Sequence, residues 1–146
     1  MLADDLKTLL GTTYVLYTKV AGMHWNVEGP DFPQYHQFLG DLYGDIYGSI
    51  DSIAEYIRTL DAYAPGSLAR MLELSVIQEQ PKIPRAELMF AELIEDNTNY
   101  ITLLNNCFKS ADSENQQGIA DYIAGRLDAM NKHNWMMKAI MKRQRA

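Results

Sequence analysis

Apolar residues recur along this chain at steps of three and four, the spacing that lines one face of an α-helix. Leu2, Leu6, Leu9, Leu10, Thr13, Leu16, Tyr17 and Val20 form the first such stripe, and it predicts a helix ending near Trp25. The stretch from Glu28 to Pro33 then supplies a glycine and two prolines, which cannot continue a helix. A second helix is predicted from about Pro33, a residue suited to a first turn. It carries Phe38, Leu42, Ile46, Ile50, Ile53, Ile57 and Leu60 and ends near Ala64-Pro65-Gly66. Residues 67–84 read as a long connection with a short helical patch, Leu68 to Leu74, inside it. The third helix is expected from about Arg85 to Lys109, on Leu88, Ala91, Ile94, Ile101, Leu104 and Phe108. A polar turn, Ser110 to Asn115, leads to a fourth from about Gln116 to Lys142, on Ile119, Ile123, Leu127, Met130, Met137 and Ile140. No strand candidate, repeat or low-complexity stretch interrupts this. The expectation is an all-α four-helix bundle whose outer links are short and whose middle crossover is long.

Within the second helix, Gly40, Gly44 and Gly48 stand at four-residue intervals. Each costs about 1 kcal/mol against alanine in a helix interior, so the ridge points to another helix approaching closely. With 146 residues, the chain suits a single domain, 1–146, with a substantial core. Hydrophobic residues make up 47% of it, too many for a disordered chain. Met1 runs straight into the first amphipathic segment with no basic start or apolar block, and no apolar run approaches the ~20 residues of a membrane span. The lone Cys107 cannot form an internal disulfide and is expected to be a small buried hydrophobe in a reducing cytoplasm. The net charge of −6 disfavours a nucleic-acid backbone as partner and favours cations.

Candidate cation ligands are few. The three histidines are His24, His36 and His133. His24 ends the first helix and His36 begins the second, so the turn brings both to one end of the hairpin. Further along the second helix Asp51 and Glu55 stand one turn apart and share a face. Fifteen residues separate His36 from Asp51, which at ~1.5 Å per residue is about 22 Å along the axis. At ~100° per residue the two are only about 60° apart around it. The histidines and the carboxylates therefore look the same way but are too far apart to share an ion. A second chain laid antiparallel across that face would join the histidines of one to the carboxylates of the other, and a two-fold axis would make two equivalent sites.

His24-Trp25-Asn26-Val27-x-Gly29-Pro30-x-Phe32, then His36, then Asp51-x-x-x-Glu55-x-x-x-Thr59-Leu60, resembles the signature of the Dps family, DNA-binding proteins from starved cells. Leu72-Glu73-Leu74-Ser75 with Ile77 and Glu79 resembles that family's short crossover helix, and His133-x-Trp135-Met136 its fourth-helix motif. The resemblance spans almost the whole chain. It implies a ferritin-like four-helix bundle with a short extra helix in the middle crossover, assembled as a hollow homo-oligomer, a dodecamer built from dimers that share metal sites. Such proteins bind Fe(II) at the dimer interface, oxidise it with hydrogen peroxide in preference to oxygen, and store ferric mineral. By position, His24 and His36 would ligate from one subunit and Asp51 and Glu55 from the next, with room for two metals. Gly40 stands one turn after His36, where a further carboxylate would help, so the second seat is expected to be weak. Trp25 is a candidate for electron transfer, with interface packing as its plainer role.

The conventional ferritin centre uses Glu-x-x-His within one bundle. The residues three before each histidine are Ala21, Pro33 and Met130, so that centre is not expected. Family members line an iron-entry pore with acids near the start of the fourth helix; Asp112 and Asp121 match by position, while Gln117 stands where a further acid is often found. A lysine-rich N-terminal tail, through which many relatives hold DNA, is replaced by Asp4 and Asp5 in an early helix. Lys138, Lys142, Arg143 and Arg145 offer only a modest basic end, so DNA binding is expected to be weak or absent. His133 and Cys107 are assigned to structure. The alternative is a non-catalytic helical oligomer that binds DNA or another divalent metal.

Overall fold

The computed structural model describes residues 1–142, which form five helices and no strand. They are α1 (Leu2–Asn26), α2 (Phe32–Thr59), α3 (Leu68–Leu74), α4 (Ala86–Ser113) and α5 (Gln117–Met141). α1 packs along α2, α4 packs along α5, and α1 also meets α3 and α4. The short α3 lies in the crossover between the two hairpins, as expected. Leu6, Leu16, Leu39, Ile46, Ile53, Phe90, Leu93, Leu104, Ile123 and Met130 meet in one buried core. Each such side chain contributes about 1.5–3 kcal/mol when removed from water. No described helix is long and apolar enough to cross a membrane. Arg143 and Arg145 of the expected basic end lie outside the described residues.

Two helix ends differ from the sequence expectation, for the same reason. α2 stops at Thr59, before Ala64-Pro65-Gly66. Asp61 adopts a left-handed conformation (φ 62°), its N–H donates to Arg58 O, and the Ala62 N–H donates to Ile57 O. This is a Schellman cap, which satisfies the last carbonyls without a glycine. α4 runs past Lys109 to Ser113, through the buried Ala111, and closes the same way at Asn115 (φ 60°), with the Gln116 N–H on Ala111 O. The polar turn is therefore shorter than Ser110 to Asn115. The third stripe also shifts: Leu88 and Ala91 face outward, and the inner face of α4 is built on Met89, Phe90, Leu93, Asn97, Tyr100, Leu104 and Cys107.

Polar contacts fix the crossover to the bundle. The Lys19 side chain is 5% exposed; its ammonium lies 3.0 Å from Glu92 and 2.6 Å from Asp96 and donates to Gln78 O at 2.9 Å. Burial pushes the Asp96 carboxyl above its usual value, against the lowering pull of Lys19. A Cβ on Gly11 would stand 2.7 Å from Met71 O and 2.8 Å from Leu74 Cβ, so glycine is what lets α3 seat on α1. Glu114 accepts the N–H of Leu2 at 2.8 Å, placing a carboxylate at the positive end of α1. Cys107 is buried beneath that end of α1, with Sγ 3.6 Å from Asp5 O.

Candidate metal centre

The α1–α2 turn does more than bring His24 and His36 to one end. Their rings stack, with centroids 3.9 Å apart and planes 11° apart. His24 Nδ1 lies 2.6 Å from the backbone oxygen of His36, and His36 Nδ1 lies 2.8 Å from the backbone oxygen of His24. A carbonyl oxygen can only accept, so each Nδ1 carries the hydrogen. In the neutral rings the lone pair is then on Nε2. This is the arrangement by which a backbone carbonyl orients a histidine and prepares its other nitrogen for a metal. Phe32 stacks on the outer face of His36 at 5.0 Å, and Tyr43 closes on His24 at 5.2 Å. His24 also stands in the last turn of α1, where the negative pole of that helix favours a cation.

Gly40 faces this pair. A Cβ there would come within 2.8 Å of His24 Cε1 and 3.1 Å of its Nδ1. A side chain at this position would therefore have to displace the imidazole from where it stands. Gly44 and Gly48, by contrast, have nothing within 4 Å of an added Cβ. Their part of the ridge is open, on the same helix as the exposed carboxylates Asp51 and Glu55. Among the described residues no three His, Cys, Asp or Glu side chains converge on a common point. The histidine pair and the carboxylate pair thus stand apart, and neither gathers three candidate ligands on this chain.

The remaining expected residues are dispersed. Trp25 is 69% exposed and lines a shallow depression with Asn26, Val27, Glu28, Gly29, Phe32 and Ile83. Asp112, Gln117 and Asp121 are exposed around the α4–α5 turn. His133 has the carboxylate partner that its sequence neighbourhood lacks: its Nε2 lies 2.8 Å from Asp45 of α2, which also receives two hydrogen bonds from Arg126 at 3.0 and 2.9 Å. The His133 hydrogen bond, followed by Arg126, holds the Asp45 carboxyl well below the usual range although burial opposes this. For Arg126, burial opposes the charge, but Asp45 outweighs it and keeps the guanidinium protonated. The triad ties α2 to α5. Sequence reasoning missed Asp45, whose only local signal is a charge beside Ile46 on an apolar stripe. It placed Tyr17 only on an apolar stripe and left Tyr14, Tyr43 and Tyr47 unread, although the four are spaced three and four apart on α1 and α2.

A ferritin-like domain matches residues 3–146. The DNA protection during starvation protein of Brevibacillus brevis is 30% identical over 88% of this chain and 86% of its own. The crystal structure of Dps from Staphylococcus aureus superposes with a TM-score of 0.94 at 31% identity, covering 98% of this chain and 96% of that one. This chain belongs to the Dps family. A Dps protein of Vibrio cholerae O1, described as a member of a broad superfamily of ferritin-like diiron-carboxylate proteins, is also similar: TM-score 0.92, 26% identity, 97% of this chain and 89% of that one. The all-helical Dps bundle with its crossover helix is the expected fold, and the pair His24 and His36 stands in it as two oriented nitrogens.

Proposed function

We propose that this Dps protein takes up Fe(II), oxidises it with hydrogen peroxide at sites shared between subunits, and retains the ferric product as mineral inside a hollow dodecamer. The observation that carries this reading is the reciprocal lock of His24 and His36. It commits both Nδ1 atoms to backbone carbonyls and leaves both Nε2 lone pairs free for a metal, while Asp51 and Glu55 stand about 22 Å or more further along α2. A two-fold dimer joins the halves: His24 and His36 of one protomer meet Asp51 and Glu55 of the partner subunit, across the open ridge at Gly44 and Gly48. Imidazole and carboxylate together suit Fe(II) and leave positions free for the oxidant. The carboxylates also retain the harder Fe(III) product. With Gly40 closed to a carboxylate, each site has one strong iron seat. Asp112 and Asp121 draw iron through an acidic entry, and Trp25 is available to stray oxidising equivalents.

The test is complementation. His24→Ala and Glu55→Ala are each expected to abolish rapid peroxide-dependent ferric absorbance. Dissociated together and reassembled, they should recover roughly a quarter of wild-type sites, because half the dimers are mixed and each mixed dimer has one intact site. No recovery in verified mixed assemblies sinks the shared site. Equal, slow oxidation in wild type and both variants sinks the ferroxidase reading altogether and leaves a binding shell.

A further inference from the structure

The histidine pair is the end of a longer column of aromatic rings. Tyr43 lies 5.2 Å from His24, Tyr17 lies 6.0 Å from Tyr43, Tyr47 lies 5.0 Å from Tyr17, and Tyr14 lies 5.7 Å from Tyr17. All are ring-centroid separations within the range of direct aromatic contact. The helix spacing makes the column: Tyr14 and Tyr17 are three apart on α1, and Tyr43 and Tyr47 are four apart on the facing side of α2. Among the described residues none of the four hydroxyls has a side-chain or backbone partner, so the rings are held by packing and the phenols are not committed elsewhere. Tyr100 is the contrast. Its hydroxyl is hydrogen-bonded to Thr13 at 2.7 Å, and burial pushes its pKa up to about 12. Trp25 is largely exposed and makes no ring contact with either histidine.

We infer that Tyr43, Tyr17, Tyr47 and Tyr14 form an electron relay that supplies the second electron when peroxide meets a single iron at the histidine pair. This rests on the ferroxidase reading above. Peroxide needs two electrons, and a seat for one Fe(II) gives one. Without another donor the product is a hydroxyl radical beside the protein. With Tyr43 in reach, the O–O bond breaks as Fe(II) gives one electron and the phenol gives an electron and its proton. The products are Fe(III), one hydroxide ion, one water and a tyrosyl radical. Tyr17 then reduces the Tyr43 radical by passing it an electron and a proton, and Tyr47 or Tyr14 does the same for Tyr17. A later Fe(II), with one proton from water, returns the last radical to phenol and becomes Fe(III). The net change is two Fe(II) oxidised for each peroxide reduced to water.

The experiment loads the assembled protein anaerobically with one Fe(II) per site, adds one pulse of hydrogen peroxide, and freezes samples for electron paramagnetic resonance. Wild type should show an organic radical whose hyperfine structure collapses when the protein is grown with ring-deuterated tyrosine. Tyr43→Phe keeps the ring packing; it should lose that signal and release hydroxyl radical to a spin trap, while still forming Fe(III). Tyr17→Phe should retain a radical confined to Tyr43. Normal ferric absorbance with no radical in wild type overturns the relay, as does a signal indifferent to tyrosine deuteration or undiminished in Tyr43→Phe. Absence of ferric absorbance in wild type overturns the ferroxidase reading, and the relay falls with it. If a variant folds poorly, the deuterated wild type can still overturn the relay by showing no tyrosyl radical.

Discussion

A single methyl group at position 40 should be enough to disturb the histidine pair. Gly40→Ala places a carbon 2.8 Å from His24 Cε1, so the ring must turn and its hydrogen bond to the His36 carbonyl is lost. Alanine also gains about 1 kcal/mol of helix propensity. The expected variant therefore melts no lower than wild type but binds Fe(II) more weakly in an anaerobic titration; unchanged binding would mean the ring orientation does not matter. At Asp45 the expectation is reversed, with stability affected first. Asp45→Asn leaves the guanidinium of Arg126 without its carboxylate, which at this partly solvated site costs about 2 kcal/mol at neutral pH. Because the folded carboxyl is held below its unfolded value of about 3.9, its contribution is complete above that pH and is lost as pH falls toward the folded value. Urea melts of wild type and variant should accordingly differ fully near pH 7 and converge below about pH 4. A constant gap across that range would remove the ion pair as its cause.

Among the helices, the ends are the informative parts. The start of α2 was legible because Asp31-Phe32-Pro33 places a proline in the first turn. The ends of α2 and α4 were not, because Asp61 and Asn115 take the left-handed position where glycine is the usual sign. These two residues bear a strain that glycine does not, so Asp61→Gly and Asn115→Gly should each raise stability by up to about 1 kcal/mol in urea melts. A loss of stability would show that their side chains matter more than their backbone. The outward turn of Leu88 and Ala91 was hidden for another reason: α4 carries apolar residues on more than one face, and only packing in the bundle selects Met89 and Phe90, the latter against Tyr35 and Phe38 of α2. The separation of His24 and His36 from Asp51 and Glu55 was legible in their spacing. The reciprocal ring-to-carbonyl lock was not, since it depends on two backbones meeting at a turn. Nor could a sequence pattern join His133 to Asp45, 88 residues away, or set Tyr17 of α1 between two tyrosines of α2.

For the whole molecule, a net charge of −6 per chain is multiplied in any assembly. The protein is expected to leave duplex DNA unretarded in a gel at physiological ionic strength. A salt-sensitive shift that disappears when Lys142 to Ala146 are trimmed would overturn this. Cys107, buried beneath the start of α1, is shielded from oxidants such as peroxide. Its thiol is pushed up to about 12, by burial first and then by the charge of Asp5. At pH 7 the sulfur is therefore held almost wholly as the thiol. The sulfur anion is the species that peroxide converts to sulfenic acid and onward to forms a cell cannot repair. Mass spectrometry after repeated exposure to peroxide should find Cys107 intact and alkylatable only after unfolding, with any sulfoxide on the exposed Met1 and Met136 instead. If peroxide is the oxidant this protein uses, the one cysteine of the chain is kept inert toward it.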